Sequence, residues 1–216
     1  MDILRKILFT LVSVVAVFIV ITLTTGNPLD RYTFKNEARD YLKAAYPDLK
    51  LRVTSVDYDF KQNKFLASAQ TDTGIHFIVY EDYDGKKIDT LVYSIWMDEI
   101  RRSATERAVE VMGSSVEVIV DIQLAPKEEL KILNKVPSYS EVSGEFASHT
   151  TIAFIADLPK DTILSKCFEI VHWLIKKKYF AEVSFMTKEK QLYILIPYNE
   201  LEKVKSEEDL VKFMVD

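Results

Sequence analysis

From Ile7 to Leu23 the chain runs for 17 residues without a charge, a proline or a glycine, and only Thr10, Ser13 and Thr22 in that run are polar. Such a stretch restricts everything built around it. Extended to Thr25 it makes about 28 Å of helix at ~1.5 Å per residue, against the ~30 Å hydrocarbon core of a bilayer. The expectation is a single-pass transmembrane helix that contacts membrane lipid through residues 7–25. Arg5 and Lys6 precede the run and no cation lies between Thr24 and Asp30, so the positive-inside rule places the N-terminus in the cytoplasm and the rest outside the cell membrane. The competing readings are a cleaved secretory signal and a buried core helix. The run is longer than the ~7–15 residues of a signal's apolar region, and Thr24-Thr25-Gly26-Asn27-Pro28 has no A-x-A-like site, which favours an uncleaved signal-anchor.

Composition bounds the remainder. Asp2, Arg5 and Lys6 give residues 1–29 a net charge of +1, so the formal −5 of the 216-residue chain leaves −6 on residues 30–216. An acidic domain is a poor match for nucleic acid, and none is expected as a partner. Twelve per cent aromatic residues and only five glycines indicate a packed domain. The single Cys167 excludes an intrachain disulfide and suits an exported bacterial domain that relies on core packing.

After the Gly26-Asn27-Pro28 break, Tyr32 and Phe34 stand where an interfacial aromatic belt is expected. Phe34, Ala38, Tyr41, Leu42 and Ala45 recur at helical spacing, predicting an amphipathic helix over about 33–46 that Pro47 ends. Leu51–Phe60, Lys64–Gln70, Gly74–Glu81 and Lys87–Tyr93 read as antiparallel strands, the last pair turned at Asp84-Gly85. Trp96, Ile100, Ala104, Ala108 and Met112 form the ladder of a second helix over about 95–112 that Gly113 ends.

These motifs, in the order Gly26-Asn27-Pro28, Tyr41-Leu42, Tyr46-Pro47, Val56-Asp57-Tyr58-Asp59-Phe60, Phe77-Ile78-Val79-Tyr80, Asp84-Gly85-Lys86, Asp89 and Trp96, resemble the YfjL-like membrane-anchored proteins of Bacillus-type bacteria. The likeness spans roughly residues 1–110. It implies a surface-anchored α+β module and carries no catalytic residue across.

The rest reads as a second α+β unit. A strand over Ser115–Leu124 leads into a short helix over Pro126–Leu133, and the Pro, Gly and Ser content of Asn134–Ser148 reads as a loop. A strand over Thr150–Ala156 and a helix over Asp161–Lys178 follow, then a hairpin of Ala181–Met186 with Gln191–Pro197. Ser206-Glu207-Glu208-Asp209 has capping-box form before a closing helix over Leu210–Met214. The domains expected are thus a tip and anchor over 1–29 and α+β units over 30–113 and 114–216.

Candidate chemistry is sparse. Asp82-Tyr83-Asp84-Gly85 resembles part of a calcium loop, but with Gly85 at position six the first and twelfth positions fall on Tyr80 and Leu91, so a hairpin turn is the better reading. Asp57 and Asp59 share one face of a strand, and with His76 they are the least implausible acid–base set. Cys167 lies in the stripe Ile163, Cys167, Ile170, Val171, Leu174, and its five-residue offset from His172 on one helix turns the two about 140° apart. His76, His149 and His172 lack metal-ligand spacing, and Lys176-Lys177-Lys178 suits a helix C-terminus. No catalytic, cofactor-binding or metal residue is assigned. The expectation is a non-enzymatic cell-envelope protein whose extracytoplasmic domain binds an envelope protein or polymer. A small-ligand sensor signalling through a membrane partner and an envelope enzyme with scattered site residues are the alternatives.

Overall fold

Helix α1 (Asp2–Thr25) stops where Gly26 turns the chain at φ +74°, and α2 (Pro28–Ala45) starts at once. In this computed structural model, which describes residues 2–113, 115–123, 136–156, 160–187 and 193–215, the two helices are separated by a compact set of local bonds. Asn27 Oδ1 accepts from Leu29 N–H at 3.0 Å, Pro28 fills the first helical position, and Arg31 Nη2 caps the Thr25 carbonyl at 2.9 Å. Gly26 is required twice over. Its backbone is left-handed, and a Cβ there would meet the Phe65 ring at 2.6 Å and the Tyr58 ring at 2.9 Å.

The expected transmembrane anchor is not upheld. Among the described residues no helix is long and apolar enough to cross a membrane. The membrane, single-pass and signal-anchor assignments, with the cytoplasmic N-terminus and extracytoplasmic domain, are therefore withdrawn. The interfacial belt goes with them: Phe34 is buried against Phe65, their ring centroids 5.9 Å apart, and only Tyr32 is exposed.

The α+β class holds. The chain divides into two units, Met1–Leu91 and Val92–Asp216. In the first, β1 (Leu51–Asp59), β2 (Lys64–Thr71), β3 (His76–Glu81) and β4 (Lys87–Asp89) form an antiparallel meander in sequence order. The register aligns Val56, Ala67, Val79 and Asp89 in one row and Val53, Ala69 and Phe77 in another, so these side chains share a face. Against that face α2 buries Phe34, Ala38 and Leu42. Ala38, Ala67 and Ala69 are fully buried, and their small side chains let helix and sheet approach closely. Along β1 the register slips between Val53 and Ser55, a bulge on what is, among the described strands, an edge of the sheet. The expected strand over Lys87–Tyr93 is cut short. Asp89 Oδ1 accepts from Leu91 N–H at 2.9 Å, and helix α3 (Leu91–Met112) begins there.

In the second unit α3 buries its predicted ladder, Trp96, Ile100, Ala104, Ala108 and Met112, in one core with α5 (Lys160–Lys177). The sheet order is β5 (Glu117–Ile122), β6 (Thr150–Ala156), β7 (Glu182–Thr187), β8 (Tyr193–Ile196) and β9 (Met214–Val215). Among the described strands only β6 and β7 are parallel, as a β–helix–β crossover through α5 requires. The expected loop over Asn134–Ser148 contains instead α4 (Tyr139–Phe146), whose Glu141 carboxylate accepts from Ser138 N–H at 3.1 Å. At the C-terminal end Asp209 Oδ2 accepts from Ser206 N–H at 3.1 Å, the expected cap, and α6 spans Glu207–Val211 before β9. The helix expected over Pro126–Leu133 lies outside the described residues, as does the turn between β7 and β8.

Candidate functional site

The C-terminal turn of α2 shapes a concavity in the first unit. Tyr46 N–H donates to the Leu42 carbonyl at 2.9 Å, and the Tyr46 carbonyl in turn accepts from Leu49 N–H at 3.1 Å. This tight turn at Pro47-Asp48 sends Leu49–Val53 back alongside the helix. Between them lies a cleft of about 310 Å³, lined on α2 by Arg39, Asp40, Leu42 and Lys43 and on the returning strand by Leu49, Leu51, Arg52 and Val53. Leu42 and Val53, 3% and 5% exposed, give it an apolar floor. Arg39, Lys43 and Arg52 are exposed and form no ion pair or side-chain hydrogen bond among the described residues. The cleft thus joins an apolar base to a cationic rim.

A second cluster holds the opposite side of α2. Asp89, 7% exposed, ends the row that starts at Val56, and its Oδ2 accepts from Tyr41 Oη at 2.6 Å while Tyr46 Oη lies 3.1 Å from both of its oxygens. With Leu91 N–H these donors occupy both carboxylate oxygens, as a buried acid needs. Burial, reinforced by Asp89, raises the Tyr41 and Tyr46 hydroxyls far above the ordinary tyrosine range. Beside this cluster Lys87 bonds Glu37 at 2.7 Å and Glu81 at 2.5 Å, with its ammonium 4.8 Å from the Phe34 ring centroid. Burial alone would lower Lys87, and its two carboxylate partners outweigh that and hold it raised. Every polar group here is already committed to another, so the cluster pins helix to sheet and leaves little to offer a ligand.

The residues singled out in sequence are not brought together. Asp57 and Asp59 lie at one end of β1, where Asp59 Oδ1 accepts from Lys61 N–H at 2.9 Å in the turn. His76 is exposed and pairs with Gln70, which faces Arg52 at the other end. Seven strand residues from Arg52 to Asp59 amount to about 23 Å. In the second unit Cys167 is fully buried, and burial pushes its thiol up to about 12, the reverse of nucleophile activation, while His172 is exposed with its ring against Phe168. Asp82 Oδ1 accepts from the N–H groups of Asp84 and Lys86, both at 2.9 Å, so this acid organises the hairpin and Gly85 takes its left-handed position. Among the described residues no group of three or more His, Cys, Asp or Glu side chains could hold a metal ion.

The cleft went unread because Arg39 and Lys43 are on a helix and Arg52 on a strand, and no spacing rule joins the two. The i, i+4 pair Arg39 and Lys43 was the one local signal. The Asp89 cluster draws on Tyr41, Tyr46 and Asp89, all within the motifs that carry the family resemblance.

Neither curated proteins nor solved structures gave a match. Residues 3–95 do match a family model, described as the YfjL-like N-terminal domain, which takes in α1, α2, the whole meander and both clusters beside α2. Over that stretch the chain is similar to the YfjL-like family.

Proposed function

We propose that the protein is a non-catalytic binding protein whose first unit takes up a small ligand in the cleft between α2 and β1. The observation that carries this reading is the pairing of an apolar floor with three cations that have no protein partner among the described residues. Small-molecule sites are typically concave, apolar and edged by a few polar groups, the combination this cleft presents. The volume lies at the low end of the ~300–1,000 Å³ typical of such sites, which favours a small ligand over a polymer. The binding role expected from the sequence is retained, and its envelope location is not. A fragment screen read by methyl NMR tests it: hits shift the Leu42, Leu49, Leu51 and Val53 methyls together. A diverse set that leaves all four unmoved would end this reading.

A further inference from the structure

Resting on that reading, we infer that the cleft selects a small amphiphilic anion, a carboxylate on a short apolar body. Arg39 and Lys43 are four residues apart on α2 and therefore neighbours, an arrangement that destabilises a helix unless something negative sits between or above them. Lys43 has a local reason to be there, since it lies in the last turn and complements the helix dipole. Arg39 and Arg52 have no such reason. They are exposed on a chain of formal charge −5 that supplies carboxylates to Lys87, Arg101, Arg102 and Arg107, yet none to them among the described residues.

The rest of the lining narrows the ligand. Asp40 leaves a net charge of +2 on the cleft, so an anionic head is matched there and a cationic one is not. Leucine side chains at positions 42, 49 and 51, with Val53, can cover only a short aliphatic or aromatic body in about 310 Å³. A purely inorganic anion would leave that floor unused. A long polymer would find nowhere to continue.

The test uses the full chain and three probes that share one tail: octanoate, octylammonium and octanol. Methyl and arginine side-chain NMR should show octanoate shifting Leu49, Leu51 and Val53 together with Arg39 and Arg52, with saturation at about millimolar concentration. Raising salt from about 50 to about 300 mM should weaken it several-fold, because the cations are exposed. The double variant R39Q/R52Q, which removes two surface charges from no ion pair, should keep its unfolding midpoint and bind octanoate about fivefold more weakly. Equal binding of all three probes, or of octanoate to the variant, would overturn the anion selectivity while leaving the cleft as a binding site. No shift in the cleft with any probe would remove both.

Discussion

In the first unit the row Val56, Ala67, Val79 ends in a carboxylate, Asp89, that takes two tyrosine hydroxyls from the covering helix. In the second unit the inward positions of β6, β7 and β8 are apolar apart from Thr150 at the start of β6, with Ile152, Phe154, Val183, Phe185, Ile194 and Ile196 all buried and the Phe154 and Phe185 rings stacked at 5.1 Å. Its comparable carboxylate, Glu99, sits on α3 and takes the Ser138 hydroxyl at 2.6 Å, Tyr139 N–H at 3.1 Å and Tyr179 Oη at 3.3 Å, so it orients α4 and not a sheet row. One helix over a sheet of alanines and valines buries little area, and there directional bonds fix the helix in place. Where large rings fill the space, shape does that, and the polar group moves to the margin.

The largest blow to this contrast should come from Trp96→Ala, which empties the second core and leaves the Pro137 carbonyl, now 2.8 Å from the indole N–H, without its donor. A loss of about 3–5 kcal/mol is expected, with amide protection falling in the second unit. A loss below about 1 kcal/mol would show that packing does not carry that unit. Next is Asp89→Ala, which strands two hydroxyls and the Leu91 N–H and should cost roughly 3 kcal/mol, read by hydrogen exchange in α2 and β4. If it were tolerated as easily as a surface change, the polar pin would be dispensable. Gly26→Ala combines a strained left-handed backbone with a ring clash and should cost about 2 kcal/mol, with the Phe65 and Tyr58 resonances moving. An unchanged midpoint would mean that the α1–α2 junction yields without cost.

The smallest effect is a titration. Tyr41 and Tyr46 are raised when folded, so their contribution is whole below the unfolded value of ~10 and is lost as pH climbs through the folded values. Unit 1 should therefore weaken from about pH 10 upward, with its tyrosinate absorbance appearing only as its methyl dispersion collapses. Ionisation near pH ~10 with the unit still folded would break the argument. In the second unit burial pushes Tyr139 up to about 12, and the same order of events applies there.

What the sequence made legible follows periodicity. The α3 ladder, the α5 stripe and the alternating meander were readable because one face of each element is buried and the pattern repeats over several turns or residues. The start of α3 was missed because Thr90-Leu91-Val92-Tyr93 suits a strand by composition, and the deciding fact is one hydrogen bond from Asp89. Helix α4 was hidden in residues that favour loops, although Ser138 and Glu141 already stood at capping distance. The end of α5 shows the reverse economy: Lys178 takes the left-handed position at φ +58°, and Tyr179 N–H reaches the Leu174 carbonyl at 2.9 Å, a closure usually given to glycine. Neither the cleft nor the Asp89 cluster could be read ahead, because both join residues that become neighbours only when α2 lies down on the sheet.

The slip in register at Thr54 bears on how this protein behaves in a crowded solution. A strand from another molecule laid along the outer rim of the meander would start in phase with Leu51 and fall out of phase beyond Val53. Among the described strands the longest edge of that sheet is thus a poor template for fibre growth, and its copies are not invited to stack there.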